Sequence, residues 1–248
     1  MSIAKHPVGK ESLAQIYDAL AHRYAEGGGI NDYYTLPLIK HFCPPNVSRA
    51  LEVCCGAGGI AIELARNVPS VWAIDLSPEM IACARQRSQD VTNKPVFIQG
   101  DLSVYDFGGQ TFDYVYGAYF VAYFEIRPLL QRLVRLTRAD GRICFVDGLQ
   151  GPGMSSFRLR DVARQYADYT RFMQRHGMSV DALQWFVHRL KRRRLLVSRD
   201  WRQVERWKRE HRGSDPQSIW TEQFLEALPG ARIERITPRL VCVIWDRK

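Results

Sequence analysis

The stretch "ALEVCCGAGGIAIELA", Ala50 to Ala65, passes from an apolar strand pattern through a glycine-rich turn into a helix pattern. Within it "GAGGIA", Gly56 to Ala61, fits the loose series G-x-G-x-x-G/A, and Asp75 follows at the end of the next strand pattern. Glycines let a ligand approach the backbone, and the first turn of the helix offers unpaired N–H groups. A carboxylate at the second strand's tip can accept both hydroxyls of a ribose. These features suit any adenosine-containing cofactor. They leave a nicotinamide dinucleotide and S-adenosylmethionine (SAM) both open.

Three further features favour SAM. Glu52 stands inside the first strand, four residues before Gly56, where a nicotinamide fold usually carries an apolar residue. Its charge suits a cationic amino group rather than a pyrophosphate. Asp101, in "QGDL" after the third strand, is placed to accept from an adenine amino group. The chain also closes with two strand patterns joined by a short turn at Thr237-Pro238, too short for a parallel crossover, so those strands pair antiparallel.

The elements that must position these residues alternate along the chain. Helices are expected over Glu11–Ala25, ended by Gly27 to Gly29, and over Tyr33–His41, ended before Pro44-Pro45. Strands follow at Ala50–Cys54 and Val71–Asp75, in "PVFIQGD", in "TFDYVYGAYF" and in "RICFVDG". Between them lie helices at Gly58–Asn67, in "SPEMIACARQRS" with Ser77 as N-cap, and at Arg127–Thr137, stopped by Asp140-Gly141. Three helices are read at Ser156–His176, Val180–Leu195 and Asp200–His211, with a break at Gly213–Pro216 and a last helix in "IWTEQFLEALPG". The pattern predicts an α/β fold: a Rossmann-like, seven-stranded, mostly parallel sheet with an antiparallel C-terminal hairpin and an inserted helical lid. The expected divisions are an N-terminal helical cap at 1–45, a core at 46–150 and 216–248, and a basic helical lid at 151–215.

The segments "ALEVCCGAGG", "AIDLSPEMIACARQR", "GDLSVYDF", "FDYVYGAYFVAYF" and "LTRADGRICFVD", in that order, resemble the class I SAM-dependent methyltransferases. The similarity is greatest to the small-molecule type related to quinone-biosynthesis enzymes, and extends to "EQFLEALPGARIERI" and "RLVCVIWDRK". It implies that Gly56 and Gly58 approach the methionine part of SAM, that Glu52 orients its amino group, and that Asp75 binds the ribose. It further implies that Leu76 and Met80 flank the adenine, that Asp101 and Leu102 line its amino edge, and that Tyr17 and Tyr24 close over the cofactor. Plain helix packing explains those two tyrosines equally well. Cys54 departs from the resemblance, since the family usually has glycine there; a side chain at that point crowds the methionine end or tilts the loop. The favoured expectation is a tolerated, packed Cys54.

Methyl transfer is an in-line displacement in which much of the catalysis comes from holding the acceptor close and aligned. The resemblance puts the acceptor at the end of strand four, where Tyr116, Tyr119 and Tyr123 are candidates to line the junction. The histidine pair that related enzymes carry near Ala122-Tyr123 is absent, and "GAYF" replaces the amide-bearing "NPPY"-type signature of N-methylating nucleic-acid and protein enzymes. Asp147 at the end of strand five, and His176 and His188 in the insertion, are the remaining candidate bases. For the histidines a solvent-facing role is the stronger expectation.

The bulk numbers bound the rest. The 248 residues, 46% hydrophobic and 25% charged, suit one soluble domain with an insertion. No apolar run reaches the ~20 residues of a membrane helix, and the N-terminal stretch lacks a secretory pattern, so a cytoplasmic protein without a membrane partner is expected. The six cysteines form no CxxC pair, and no metal site is expected. The net charge of +9 is uneven: Gly151–Asp215 holds 16 Lys and Arg against 7 Asp and Glu, and the remainder is balanced. The expected partner is a small-molecule acceptor, aromatic or acidic, methylated on O or N by a monomer or homodimer. The alternatives are a nucleic-acid methyltransferase gripping RNA or DNA with the basic lid, and a protein that binds SAM without methyl transfer.

Overall fold

In the computed structural model, the described residues are 8–26, 32–148, 159–196, 198–211, 226–237 and 240–248. Five parallel strands form most of one sheet: β1 (Arg49–Val53), β2 (Ser70–Asp75), β3 (Val96–Gln99), β4 (Phe112–Ala118) and β5 (Thr137–Gly148). The hairpin β6 (Arg232–Thr237) and β7 (Leu240–Asp246) completes it, β7 running antiparallel to both β5 and β6. The strand order is β3-β2-β1-β4-β5-β7-β6. It reverses between β1 and β4, and the crevice outside the strand ends at such a reversal is where open α/β sheets bind ligands.

Alternating residues of the central strands build two apolar layers. Ala50, Tyr114, Tyr116, Cys144 and Val146 face α2 (Asp32–His41), α3 (Gly59–Leu64) and α6 (Leu159–Arg175). Leu51, Val53, Val115, Ile143 and Phe145 face α5 (Ile126–Leu136) on the other side. Burial on both faces explains why these strands read as nearly unbroken apolar runs. The helix α1 (Val8–Glu26) packs on α4 (Pro78–Arg87) and on α8 (Arg199–His211), with α7 (Ala182–Leu196) preceding α8.

The boundaries differ from the sequence reading in specific places. The expected helix 58–67 spans only Gly59–Leu64. Cys54 leaves the strand because its φ of 53° is left-handed. Asp140-Gly141 does not stop α5: Thr137 already ends it, accepting extended geometry while its hydroxyl donates to Leu133 O at 2.8 Å. The pair 140–141 instead lies within β5, where Asp140 N–H donates to Arg247 O. Most of "IWTEQFLEALPG", the break at Gly213–Pro216, the stop at Gly27 to Gly29 and Pro238 lie outside the described residues.

Candidate functional site

The turn after β1 is built from left-handed residues. Cys54, Gly56 and Gly58 have φ of 53°, 52° and 72°. Cys55 N–H donates to Ile74 O at 3.0 Å, which ties the turn to β2. The two glycines serve different ends. A Cβ on Gly58 would collide with Phe97 and Ala84 at 2.6 to 2.9 Å, so its bare Cα lets the turn and α3 seat on β3 and α4. A Cβ on Gly56 would instead project toward Tyr24, 3.5 Å away, and Met80 Sδ, 3.9 Å away. Its absence keeps open the space between the turn, α1 and α4.

Asp75 at the tip of β2 fixes the turn. One carboxylate oxygen accepts Gly56 N–H at 2.8 Å and the other accepts Ser77 N–H at 3.0 Å. Burial raises its pKa, and these backbone bonds oppose the rise. The Leu76 N–H also bonds this carboxylate, and a carboxylate with about four acceptor directions can still take a hydroxyl. Ser77 caps α4 by accepting Met80 N–H at 3.1 Å and donates to Asp18 of α1.

Asp101 follows β3 and is already engaged. Lys10 Nζ donates to it at 2.6 Å, and Ser103 N–H donates at 2.9 Å. Burial pushes its carboxyl up, but the Lys10 and Ser103 bonds outweigh that and hold it below its ordinary value. Glu52 is buried inside β1, in register with Tyr116 of β4. The Tyr116 ring stacks on Tyr114 at 5.2 Å, and burial and the Glu52 charge raise its hydroxyl far above the ordinary phenol value. Leu102 is 3% exposed in the apolar layer below Asp101, whereas Leu76 is half-buried and its carbonyl accepts from Gln99.

Two helices distant in sequence cover this crevice. Lys10, Tyr17 and Tyr24 are seven residues apart and so share one face of α1; they reach Asp101, Tyr123 and the Gly56 turn respectively. On α8, Val204 packs with Leu20, Ala21, Ala57 and Met80, and Trp207 lies 6.0 Å from the Tyr123 ring while donating to Ser12.

Beyond the turn, β4 ends in Tyr119, whose φ of 56° is left-handed and whose N–H donates to Val146 O at 2.9 Å. Such an outlier in a bulky residue stores strain at a position that the surroundings must hold. Tyr17 and Tyr123 share a hydroxyl–hydroxyl bond, their rings edge to face at 5.9 Å. Burial raises the Tyr123 hydroxyl despite the Tyr17 bond, and the charges of Asp147 and Glu205 raise it further. Asp147 accepts Val121 N–H at 2.9 Å and Gly148 N–H at 2.7 Å, which pins the turn carrying Tyr123.

The candidate bases in the insertion are not brought here. His176 pairs with Glu234 at 2.9 Å on β6, the outermost strand, and packs against Phe172 and His41. His188 stacks on Tyr33 at 4.2 Å. Both were candidates because sequence periodicity does not tell which surface of the sheet a lid helix covers. Sequence reasoning missed Lys10, Asp18, Glu205 and Trp207. Only Lys10 had a legible signal, the seven-residue step to Tyr17. Among the described residues, no three His, Cys, Asp or Glu cluster to hold a metal ion, and no helix is long and apolar enough to cross a membrane.

Residues 50–141 match the family model of a methyltransferase domain. Over those residues the chain is therefore similar to a methyltransferase domain. It is 33% identical over 131 residues to the demethylmenaquinone methyltransferase of Porphyromonas gingivalis, a match covering 50% of this chain and 52% of that protein. It is 30% identical over 143 residues to the 2-phytyl-1,4-naphtoquinone methyltransferase of Thermosynechococcus vestitus, covering 55% of this chain and 61% of that one. The chain thus spans little more than half the length of these curated relatives. A solved structure, the complex of DhpI with SAM and HEP, superposes over 97% of this chain and 99% of its own at a TM-score of 0.59 and 16% identity, a likeness of fold.

The residues around the Gly56 turn fit SAM, the cofactor that the resemblance implies. The open cradle beside Gly56 would be filled by any side chain, and Glu52, Asp75 and Asp101 supply negative charge suited to a ligand bearing a sulfonium and an ammonium. The same carboxylates, after burial, raise the Cys54 thiol well above its ordinary value. Cys54 is therefore a packed neutral thiol and not a nucleophile.

Proposed function

We propose that the chain transfers the methyl group of SAM to a small-molecule acceptor, on O or N, held between the core and a helical lid at 151–215. SAM supplies an activated methyl on a positively charged sulfur. Asp75 holds the ribose, Glu52 the amino group, and the Gly56 turn the methionine end; Leu76 and Met80 flank the adenine. Asp101 receives the adenine edge once Lys10 yields its place. Tyr17 and Tyr24 close the crevice from α1, and Tyr119 and Tyr123 line the acceptor end with Asp147 behind them.

The observation that carries this reading is Asp75 at the tip of β2, the strand beside β1, anchoring the Gly56 turn by a 2.8 Å bond next to the reversal of strand order between β1 and β4. The aromatic acceptor end favours a flat or apolar acceptor. That agrees with the quinone substrates named for the two relatives. The deciding experiment incubates the protein with methyl-labelled SAM and fractionated small-molecule and RNA pools. Label entering a small-molecule fraction supports the reading. Label entering only RNA, or SAM binding without label transfer to any fraction, overturns it.

A further inference from the structure

Helix α7 carries two apolar faces. One is spent inside the protein: Trp185 is 2% exposed, packs on Tyr166 and Tyr34 at 5.1 and 6.0 Å, and its carbonyl accepts from Tyr34. The opposite face is largely exposed, with Phe186 stacked on Tyr166 at 5.6 Å. Leu183, Phe186, Val187 and Leu190 are exposed by 75%, 41%, 41% and 59%. Their spacing of 0, 3, 4 and 7 makes one continuous stripe on the helix. Among the described residues, the only other large hydrophobic side chains this exposed are Val96 and Val104, both away from α7. Isolated exposed apolar residues are ordinary; a stripe of four along one helix marks a contact surface.

The same helix has Arg189, Lys191, Arg192, Arg193 and Arg194 and no acidic residue. It lies in the segment that holds the chain's entire excess of positive charge. Together the charge and the stripe select one kind of occupant. A second copy laid antiparallel would bury the stripe but leave the cations at the helix end without a counter-charge. A nucleic acid would satisfy the cations but offer Leu183, Val187 and Leu190 nothing apolar to bury against. A bilayer with anionic headgroups meets both requirements, with charge at its surface and acyl chains beneath. The 15 residues of α7 are too few to span. The expected absence of a membrane partner rested on the lack of a spanning run, which bears on crossing and not on lying at the surface.

We infer that α7 is an interfacial helix, docking the lid on an anionic lipid surface with Leu183, Phe186, Val187 and Leu190 in the headgroup–acyl boundary. The inference goes beyond the proposed reaction, and its test needs no methyl transfer. The full chain is sedimented with vesicles of phosphatidylcholine alone and of phosphatidylcholine mixed with phosphatidylglycerol. The protein should pellet with the mixed vesicles, pellet weakly with the neutral ones, and be released by salt. The double variant Leu183→Gln, Leu190→Gln, which alters only exposed positions and is checked by circular dichroism and SAM titration, should bind the mixed vesicles at least about tenfold more weakly. Absence of pelleting with the mixed vesicles would overturn the inference. Undiminished pelleting of the double variant would also overturn it, leaving a purely electrostatic surface of the kind that binds nucleic acid or acidic protein. A dimer by light scattering that the same variant splits would assign the stripe to a second copy instead.

Discussion

Replacing Asp75 separates its two tasks, anchoring the glycine turn and holding the ribose. Asp75→Ala removes the acceptors of both Gly56 N–H and Ser77 N–H. Hydrogen bonds to a charged group contribute about 1.5–3 kcal/mol each, and a buried donor left unsatisfied costs about 1–3 kcal/mol. Against this stands the burial of the carboxylate. Its folded pKa lies above 3.8, so the ionised form costs stability at neutral pH, and that cost is relieved as pH falls through the folded value. The net loss for Asp75→Ala is therefore about 2–4 kcal/mol, less than the sum of two such bonds. Asp75→Asn keeps one acceptor and sheds the buried charge, so its stability should fall by only about 1 kcal/mol. For SAM the order of severity narrows: both variants lose the charged acceptor for the ribose, and affinity should fall at least about tenfold in each, the equivalent of one such bond. Urea unfolding reads the first quantity and calorimetric titration the second. An Asp75→Asn protein that binds SAM as tightly as the parent would refute the ribose assignment. An Asp75→Ala protein with an unchanged unfolding midpoint would refute the anchoring role.

Three other perturbations probe the surrounding structure. Cys54→Gly relieves a left-handed side chain worth about 1–2 kcal/mol and adds backbone entropy of about 0.5–1 kcal/mol to the unfolded chain; the melting temperature should rise slightly and SAM affinity should hold or improve, and a loss of either by calorimetry would mean that the thiol packs too well to spare. His176→Ala should leave SAM affinity and methyl transfer within twofold of the parent and lower stability by about 1 kcal/mol or less, because its Glu234 partner sits on the outermost strand; a large fall in turnover with intact folding would return His176 to the acceptor site. Asp101 has its carboxyl held below 3.8, so the stability it contributes is present above that pH and lost as pH falls through the lower folded value. Protection factors along α1, exchange rates corrected for their intrinsic pH dependence, should therefore be unchanged from pH 7 to 5 and fall below about pH 4, while Lys10→Met lowers them throughout; equal protection in that variant would deny that the Lys10–Asp101 pair holds α1.

The sheet was legible because each central strand is buried on both faces and is followed by a helix pattern with its own stop, which leaves few alternatives for strand pairing. The Ser77 cap was legible for the same local reason, a serine ahead of proline and glutamate. The positions of Asp75 and Asp101 after β2 and β3 could be read because strand tips are marked by where the apolar runs end. The failures are non-local. Nothing near Lys10 in sequence indicates that it will meet Asp101, 91 residues away. His176 looked free on a helix surface, and only the packing of α6 against β6 commits it to Glu234. Gly58 read as a cofactor glycine, yet its demand for a bare Cα comes from Phe97 on β3, a neighbour that no motif names.

The proposed acceptor end also limits what its residues can do with a proton. Burial and two nearby carboxylates keep the Tyr123 hydroxyl protonated, so it donates or orients and does not abstract. Both Asp147 oxygens accept backbone N–H groups, a role that holds the Tyr123 turn. His176 and His188 are committed elsewhere, on β6 and on Tyr33. On the proposed function, catalysis here is alignment of an acceptor that is already nucleophilic or sheds its proton late. The rate at saturating SAM and acceptor should accordingly be flat between about pH 6 and 8 for any acceptor that does not itself ionise there. Tyr123→Phe should raise KM more than it lowers kcat, since it removes an orienting hydroxyl and not a base. An ionisation near pH 6.5 in kcat that disappears on replacing either histidine would refute this account, as would a Tyr123→Phe enzyme that binds its acceptor normally yet fails to turn over.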